Sequence, residues 1–313
     1  MIIQTGMRTD IPAFYTPWFL NRLRAGFVLV RNPYDASAVT RYRLTPDVVD
    51  LIGFCTKNPQ PMLPHMDMLR PFGQYWFVTI TPYGPDIEPH VPPKAQVMES
   101  FRRLSDVVGP DCMGWRYDPI LVNERYTVDR HLEAFGRMAK TLSGATRTAV
   151  VSFIDLYAKV RRNFPEAKEV HQEDRIALAK GMARIGREYG MTVKACAEGG
   201  ELVAYGVDCG GCMTVSVYEK VLRSRLRVPG RTPVRAECAC LLGGDIGAYH
   251  TCGHLCRYCY ANYDAAAVRA NMRAHDPESP FLIGHAMPGD VIHAPKQESW
   301  LDPQMMMNLG PLS

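Results

Sequence analysis

A group of three cysteines near the C-terminal end carries the most specific chemical pattern in this 313-residue chain. Cys252, Cys256 and Cys259 follow the spacing Cys-x-x-x-Cys-x-x-Cys, and a tyrosine precedes the last of them. Three thiolates on one short loop can each bind one iron of a four-iron cluster, which leaves the fourth iron open for a substrate or a cofactor. The spacing therefore predicts a 4Fe-4S cluster on this loop, with His254 as a supporting group beside the ligands.

Other cysteines keep a zinc site open as the alternative. Eight of the ten cysteines fall between Cys196 and Cys259, and in a cytoplasmic protein such clustering favours metal or redox chemistry over structural disulfides. Zinc prefers four sulfur or nitrogen ligands, often from Cys-x-x-Cys pairs, and Cys209 and Cys212 form such a pair. A second metal site would draw on the remaining group, Cys196, Cys209, Cys212, Cys238 and Cys240.

Charged side chains follow most of the predicted strands. Parallel strands present their carboxyl ends at one edge, which carries the chemistry in barrel enzymes. Each of these residues alone could instead serve a turn or cap the next helix. Together, we expect them to surround one basic cavity that opens toward the cysteine loop and binds a small anionic substrate. The candidate catalytic residues are Arg8, Asp10, Arg31, Lys57, Arg116, Asp118 and Glu198.

The elements that must position these groups alternate between short strands and amphipathic helices. The strands are apolar on both faces, as in parallel sheets covered by helices, and the alternation predicts an α/β fold. A TIM-like (β/α) barrel suits the length, since about 250 residues are typical; an open doubly wound sheet is the alternative. We expect a barrel core over residues 1–198 and an irregular cysteine-rich part over residues 199–313, which completes the barrel and carries the metal loop. The predicted strands are Ile2–Thr5, Phe27–Val30, Leu51–Thr56, Tyr75–Ile80, Met113–Arg116, Ala149–Ile154 and Met191–Cys196.

Charge and hydropathy bear on the partners and the compartment. The net charge of +4 is too small to indicate nucleic acid or an anionic membrane. The basic stretch from Lys220 to Arg235 is better interpreted as a solvated helix face. No apolar run approaches the ~20 residues of a membrane span, and the first residues lack a signal-peptide pattern. We therefore expect a cytoplasmic protein without membrane or nucleic-acid partners.

Several longer segments resemble a bacterial family, domain of unknown function 1848. The resemblance covers most of the chain and implies a radical-enzyme-like iron–sulfur loop at the C-terminal end. One departure is Cys55, which stands where the family tends to have Trp before Thr-Lys-Asn-Pro, and we expect it to leave the site residues unaffected. The segments are Arg8–Tyr15, Val30–Pro33, Thr56–Pro59, Thr81–Gly84, Trp115–Pro119 and Gly247–Asn262.

The cysteine loop also resembles the signature loop of the radical S-adenosylmethionine enzymes. In that family the open iron chelates the amino and carboxylate groups of S-adenosylmethionine, and an electron from the cluster cleaves the cofactor. The resemblance implies an electron donor as partner, and S-adenosylmethionine beside Tyr258, Tyr260 and Asn262. The family's loop normally follows the first barrel strand, whereas this one lies near the C-terminal end, so the family's cofactor contacts cannot be transferred by order along the chain.

Three functions are compatible with these patterns. The first is an enzyme that uses a reduced cluster, with S-adenosylmethionine, on a small anionic substrate. The second is a non-catalytic zinc or iron–sulfur module, in which the cysteines hold the C-terminal part together. The third is a nucleic-acid repair lyase. Metal and sulfide analysis of anaerobically isolated protein separates the first two.

Overall fold

A parallel sheet of seven strands lies at the centre of the computed structural model, which describes residues 1–230 and 239–303. A second sheet has three strands. The strands are β1 (Ile2–Gln4), β2 (Phe27–Arg31), β3 (Ala38–Arg43), β4 (Leu51–Thr56), β5 (Gly73–Thr79), β6 (Met113–Ile120), β7 (Thr148–Phe153), β8 (Thr192–Ala195), β9 (Gly244–Asp245) and β10 (Val291–His293). The order in the large sheet is β9-β1-β4-β5-β6-β7-β8, with all ladders parallel.

Helices connect these strands, and local capping explains where several of them begin. Asp10 caps α1 (Ile11–Phe14), Thr127 caps α4 (Val128–Leu142) and Thr214 caps α7 (Val215–Leu222). In each case a side-chain oxygen accepts a backbone N–H group. Gly26 ends α2 with φ 73°, a left-handed conformation that glycine adopts without strain. The helices are α1 (Ile11–Phe14), α2 (Thr16–Ala25), α3 (Lys94–Val108), α4 (Val128–Leu142), α5 (Ala158–Asn163), α6 (Gln172–Glu188), α7 (Val215–Leu222) and α8 (Ala265–Arg273), with 3-10 turns at Leu63–Leu69, Pro110–Cys112 and Glu201–Tyr205. No helix within residues 1–230 and 239–303 is long and apolar enough to cross a membrane.

The large sheet separates two packed layers. Helices α2, α3, α4 and α6 cover one face, where Phe54 stacks on Trp76 with ring centroids 3.7 Å apart. Side chains of a strand alternate between the two faces, so the intervening residues point the other way. That second face is covered by α7 and by the cysteine-rich segments, with Tyr218, Cys212 and Leu241 buried against the strands.

The predicted parallel α/β architecture is confirmed, but the predicted closed barrel is not, because the sheet remains open. Within the described part of the chain, no ladder joins β8 to β9. The segment after β8 adds only an isolated bridge between Lys194 and Asp208, and Leu241 N donates to Met213 O at 2.7 Å. The cysteine-rich segments and α7 thus pack on the face that a closed barrel would enclose.

One predicted strand lies outside the parallel sheet. Strand β2 pairs antiparallel with β3, and β10 completes this second sheet. The connection between β2 and β3 is a short turn, whereas a parallel pair needs a crossover connection of a dozen or more residues. Arg31 therefore ends a strand of the second sheet and not one of the parallel sheet.

The C-terminal part contributes directly to the parallel sheet. Strand β9 lies at its edge beside β1, with Ile3 opposite Gly244 and Gln4 opposite Asp245. This insertion places the loop that follows β9, which carries the three predicted ligand cysteines, at the carboxyl end of β1.

Candidate functional site

Asp10 joins three segments at the carboxyl edge of the sheet. Its side chain is buried, and Oδ1 accepts the Ala13 N–H at 3.0 Å, which caps α1. Oδ2 accepts the Lys57 backbone N–H at 2.7 Å, just after β4. The same oxygen lies 2.9 Å from His254 Nε2 in the cysteine loop. The ends of β1 and β4 and the cysteine loop are therefore connected by one carboxylate.

Glu88 is a second buried carboxylate at this edge. Oε1 contacts Lys57 Nζ at 2.8 Å and Thr81 Oγ1 at 2.7 Å, and Lys94 and the Tyr258 hydroxyl also bond to the carboxylate. Burial pushes the pKa of Glu88 upward, but the two ammonium groups outweigh burial and hold this pKa at about 2. Glu88 is therefore ionised and neutralised in the native protein. The sequence patterns did not single it out, although it follows the Thr81–Gly84 segment closely.

The three cysteines lie on the loop that His254 and Tyr258 join to these two carboxylates. Cys256 is buried, and Cys252 and Cys259 are half-buried. Burial raises the pKa of Cys252, and the charges of Asp10, Cys259 and Cys256 add to the rise. Burial also raises the pKa of Cys256 to about 12, against the lowering effect of Lys57. Among the described residues, no group of three His, Cys, Asp or Glu side chains is arranged so that it could hold a metal ion.

The residues predicted to bind a cofactor contact the same region. Tyr258 bonds to Glu88, and the Tyr260 hydroxyl donates to the Met7 carbonyl. Asn262 Nδ2 donates to the Cys252 carbonyl at 2.9 Å, which fixes the two ends of the loop to each other. The Asn262 side-chain oxygen is buried and has no hydrogen-bond partner in the described structure. It is an acceptor that a bound donor group could satisfy.

Arg116 and Asp118 form the next part of the rim, on β6. Arg116 Nε donates to Asp118 Oδ2 at 2.8 Å, and Ser152 donates to the other oxygen of Asp118. Arg116 Nη2 also lies 3.8 Å from Cys196 Sγ. Although burial alone would lower the pKa of Arg116, Asp118 and the nearby thiols raise it well above its ordinary value. This guanidinium is therefore a permanent, half-buried cation.

Cys55 lies in the middle of the rim, which the sequence analysis did not predict. Burial raises the pKa of its thiol to about 11, and Arg116, Asp10, Asp245 and Asp118 all act on it electrostatically. Four charged groups from the ends of β1, β6 and β9 thus surround one cysteine of β4. Cys55 is thus near the site residues, and the expectation that the Trp-to-Cys departure leaves them unaffected stays a prediction.

The remaining predicted rim residues divide into two groups. Arg8 belongs to the rim and pairs with Asp245. Glu198 lies beyond β8, where it accepts the Phe153 N–H at 2.7 Å and pairs with Arg175.

Arg31 lies elsewhere. Its guanidinium binds Asp290 Oδ2 at 2.8 Å and the His285 carbonyl at 3.2 Å, in the second sheet. The structure therefore brings together Arg8, Asp10, Lys57, Arg116 and Asp118, without Arg31.

The charge balance of the rim differs from the expected basic cavity. The structure pairs Arg8 with Asp245, Lys57 with Glu88, and Arg116 with Asp118. Two of these carboxylates, Asp245 and Glu88, were not among the predicted rim residues. The rim is thus a set of ion pairs, and an anionic ligand would have to share a cation with a carboxylate already present.

The remaining cysteines do not behave as one group. Cys196, Cys212 and Cys240 meet on the face of the sheet opposite the large helices, with Cys212 Sγ 3.8 Å from Cys196 Sγ and 3.5 Å from Cys240 Sγ. Cys209 Sγ instead contacts the Val207 carbonyl at 3.9 Å. Cys238 lies outside the described residues, as does the end of the basic stretch at Arg235.

Comparison with known proteins identifies a family. The family model described as Domain of unknown function (DUF1848) matches residues 2–261. None of the curated proteins searched is a match. A solved structure described as a putative alpha-L-fucosidase from Bacteroides thetaiotaomicron is similar at 10% identity and a TM-score of 0.27, covering 52% of this chain and 60% of that one.

Proposed function

This chain belongs to the family of domain of unknown function 1848, and we propose that it is an iron–sulfur enzyme of the radical S-adenosylmethionine-like type that acts on a small anionic substrate. In this proposal Cys252, Cys256 and Cys259 hold a 4Fe-4S cluster. One observation carries it: the loop with the three cysteines is held at the carboxyl edge of the sheet, where His254 contacts Asp10 and Tyr258 bonds to Glu88.

The cysteine loop supplies three thiols, which is the number that a four-iron cluster with one open iron needs. A structural zinc site needs four ligands. A cubane spreads its thiolates over separate irons, so its ligands need only surround a common volume. Burial raises the pKa of both Cys256 and Cys259, and the charge of Lys57 acts against this rise at both thiols. These features support a cluster with three protein ligands.

In this proposal, side chains of the protein hold the cysteine loop in place and bind the cofactor. His254 and Asp10 anchor the loop to β1 and β4. The unpartnered oxygen of Asn262 is placed to accept a hydrogen bond from an ammonium or amide group of a bound cofactor. When bound and reduced, the cluster would supply a single electron; binding and orientation of the other reactants fall to these side chains.

Arg116 is the group we assign to an anion of the substrate. Its contacts to Asp118 and Cys196 use Nε and Nη2, which lie on one edge of the guanidinium. A carboxylate or phosphate could bind the remaining N–H groups, since guanidinium offers five donors in a fixed fork. Orientation by such a clamp lowers the barrier for the following step.

Iron and sulfide analysis of anaerobically purified protein tests the proposal. We expect about four irons and four sulfides per chain, as for a cubane, and a change in the electron paramagnetic resonance spectrum of the reduced protein when S-adenosylmethionine is added. The variant Cys256→Ser should lose most of the iron. The control Cys112→Ser, at a cysteine on the 3-10 turn Pro110–Cys112, should keep it.

Two results would contradict the proposal. A colourless protein with one zinc per chain would make the loop a structural module. A cluster that also requires Cys196 or Cys240 would have four protein ligands and no open iron, and an electron-transfer role would then replace radical chemistry.

A further inference from the structure

A chain of three thiols lies apart from the loop cysteines, between β8 and the segments that cover the second face of the sheet. Cys212 is its centre, 3.8 Å from Cys196 Sγ and 3.5 Å from Cys240 Sγ. The Met213 N–H donates to Cys240 Sγ at 3.4 Å, which fixes the position of that thiol. Cys196 and Cys212 are not joined by a disulfide, and their sulfurs are in contact.

The arrangement differs from the pairing that sequence spacing favours. Cys209 and Cys212 form a Cys-x-x-Cys pair, which is typical of redox motifs. Cys209 nevertheless contacts the Val207 carbonyl, while Cys212 is buried at 1% exposure against Cys196 and Cys240. Any disulfide at Cys212 is therefore predicted to form across the fold and not within the motif.

We infer that Cys196 and Cys212 are a reversible dithiol–disulfide pair that reacts with a hydroperoxide. Cys196 is the attacking sulfur because it is the least buried of the three and Arg116 Nη2 lies 3.8 Å from it. A cation beside a sulfur favours the nucleophilic thiolate. The directions of the pKa shifts agree: the Cys212 hydrogen bond lowers the pKa of Cys196, whereas the same contact raises that of Cys212.

The oxidation needs only the two thiols and one hydroperoxide as reactants. Cys196 first loses its proton to solvent, and its thiolate attacks the terminal peroxide oxygen. The O–O bond breaks, and the leaving alkoxide takes a proton from solvent to become an alcohol. Cys196 is then a sulfenic acid. The Cys212 sulfur attacks it, the S–S bond forms and the S–O bond breaks. The hydroxide leaves as water with the proton of the Cys212 thiol. Two thiols are oxidised and one peroxide is reduced; a dithiol restores the pair by exchange. In a reducing compartment, a disulfide of this kind is transient.

Arg116 connects the Cys196–Cys212 pair with the candidate site. The guanidinium contacts both Cys196 and Asp118, so oxidation removes one of its two anionic neighbours. The rim would become more positive when the pair is oxidised. This consequence depends on the proposed role of Arg116, whereas the disulfide itself does not.

Peptide mapping after treatment of the full chain with hydrogen peroxide tests the pair. Trypsin releases residues 195–220 as one peptide, and a second cleavage before Asp208 separates Cys196 from Cys209 and Cys212. A Cys196–Cys212 disulfide keeps the two halves joined until a dithiol is added. We expect the link in the wild type and in Cys209→Ser, and its loss in Cys212→Ser, where Cys196 should be trapped as sulfenic acid by a dimedone-type reagent.

The same measurements are repeated with Cys252→Ser, a variant that removes interference from a metal at the loop. The Cys196–Cys212 disulfide should persist in this variant. A link that disappears in Cys209→Ser but survives in Cys212→Ser would overturn the inference. A second result would also overturn it. If stoichiometric zinc or iron were retained in Cys252→Ser but lost in each of Cys196→Ser, Cys212→Ser and Cys240→Ser, the three thiols would be metal ligands.

Discussion

His254 Nε2 lies 2.9 Å from Asp10 Oδ2, and this contact joins residues 244 positions apart in the chain. Both side chains are buried, at 2% and 4% exposure. The other ring nitrogen of His254 lies 3.2 Å from the His90 carbonyl. The imidazole therefore holds the cysteine loop between the end of β1 and the segment after β5, before any cluster or substrate is considered.

Replacing His254 with Ala should destabilise the protein by about 2 kcal/mol, because a buried carboxylate loses one hydrogen-bond partner. The loop would also lose its anchor, so iron content after anaerobic purification should fall. Urea unfolding and iron analysis measure the two effects. The control His65→Ala changes an exposed histidine and should alter neither. Wild-type stability in His254→Ala would show that the imidazole contributes nothing to holding the loop.

The depressed pKa of Glu88 predicts a specific acid sensitivity. The native pKa is about 2 against 4.5 for the ordinary group. The carboxylate therefore stabilises the fold fully above pH 4.5, and this contribution is lost as the pH falls toward 2. The difference corresponds to about 3 kcal/mol.

Urea unfolding between pH 7 and pH 2 measures this contribution. In Glu88→Gln the pH dependence below 4.5 should flatten, and the protein should be less stable at pH 7 because Lys57 and Lys94 lose their buried partner. Glu169→Gln, at an exposed position, is the control and should retain the wild-type slope. A slope as steep in Glu88→Gln as in the control would assign the acid sensitivity to other carboxylates.

The sequence predicts the strand-end residues well and their partners poorly. Asp10, Lys57 and Arg116 were identified because parallel strands end at one edge, which is a local rule of direction. Their partners depend on long-range packing: Arg8 meets Asp245 from 237 positions away. No local pattern at Glu88 or Asp245 indicates that each neutralises a predicted cation.

Local sequence patterns could not predict the open sheet or the position of β2, for a similar reason. The apolar run Phe27–Val30 predicts a strand, and the structure has a strand there. This strand pairs antiparallel with β3, so it lies outside the large sheet. Closure depends on whether β8 pairs with β9, and among the described residues no ladder joins these two edge strands. Periodicity indicates that a strand exists and does not indicate its neighbour.

Removing the Arg116 cation should separate its structural and functional roles. Arg116→Gln alone leaves the half-buried Asp118 without its ion-pair partner, so we expect a loss of about 2 kcal/mol of stability. The double variant Arg116→Gln with Asp118→Asn removes both charges and should recover part of that loss. With inorganic phosphate as the probe in calorimetric titration, we expect the wild type to bind and the folded double variant not to bind. Equal binding by both proteins would show that Arg116 serves only the ion pair.

The last prediction concerns the close approach of Gly243 to β1, on which the position of the cysteine loop depends. A Cβ at Gly243 would lie 1.9 Å from the Ile2 carbonyl oxygen, which is backbone and cannot rotate away. Gly243→Ala should therefore push β9 from the sheet edge and destabilise the protein by about 3 kcal/mol, at the upper end for overpacking. The control Gly200→Ala has no heavy atom within 4 Å of its added Cβ and should be nearly neutral. Because β9 leads into the loop of Cys252, Gly243→Ala should also lower the iron content of anaerobically purified protein. If Gly243→Ala instead kept wild-type stability and iron, β9 would not be the element that positions the cysteine loop over the sheet.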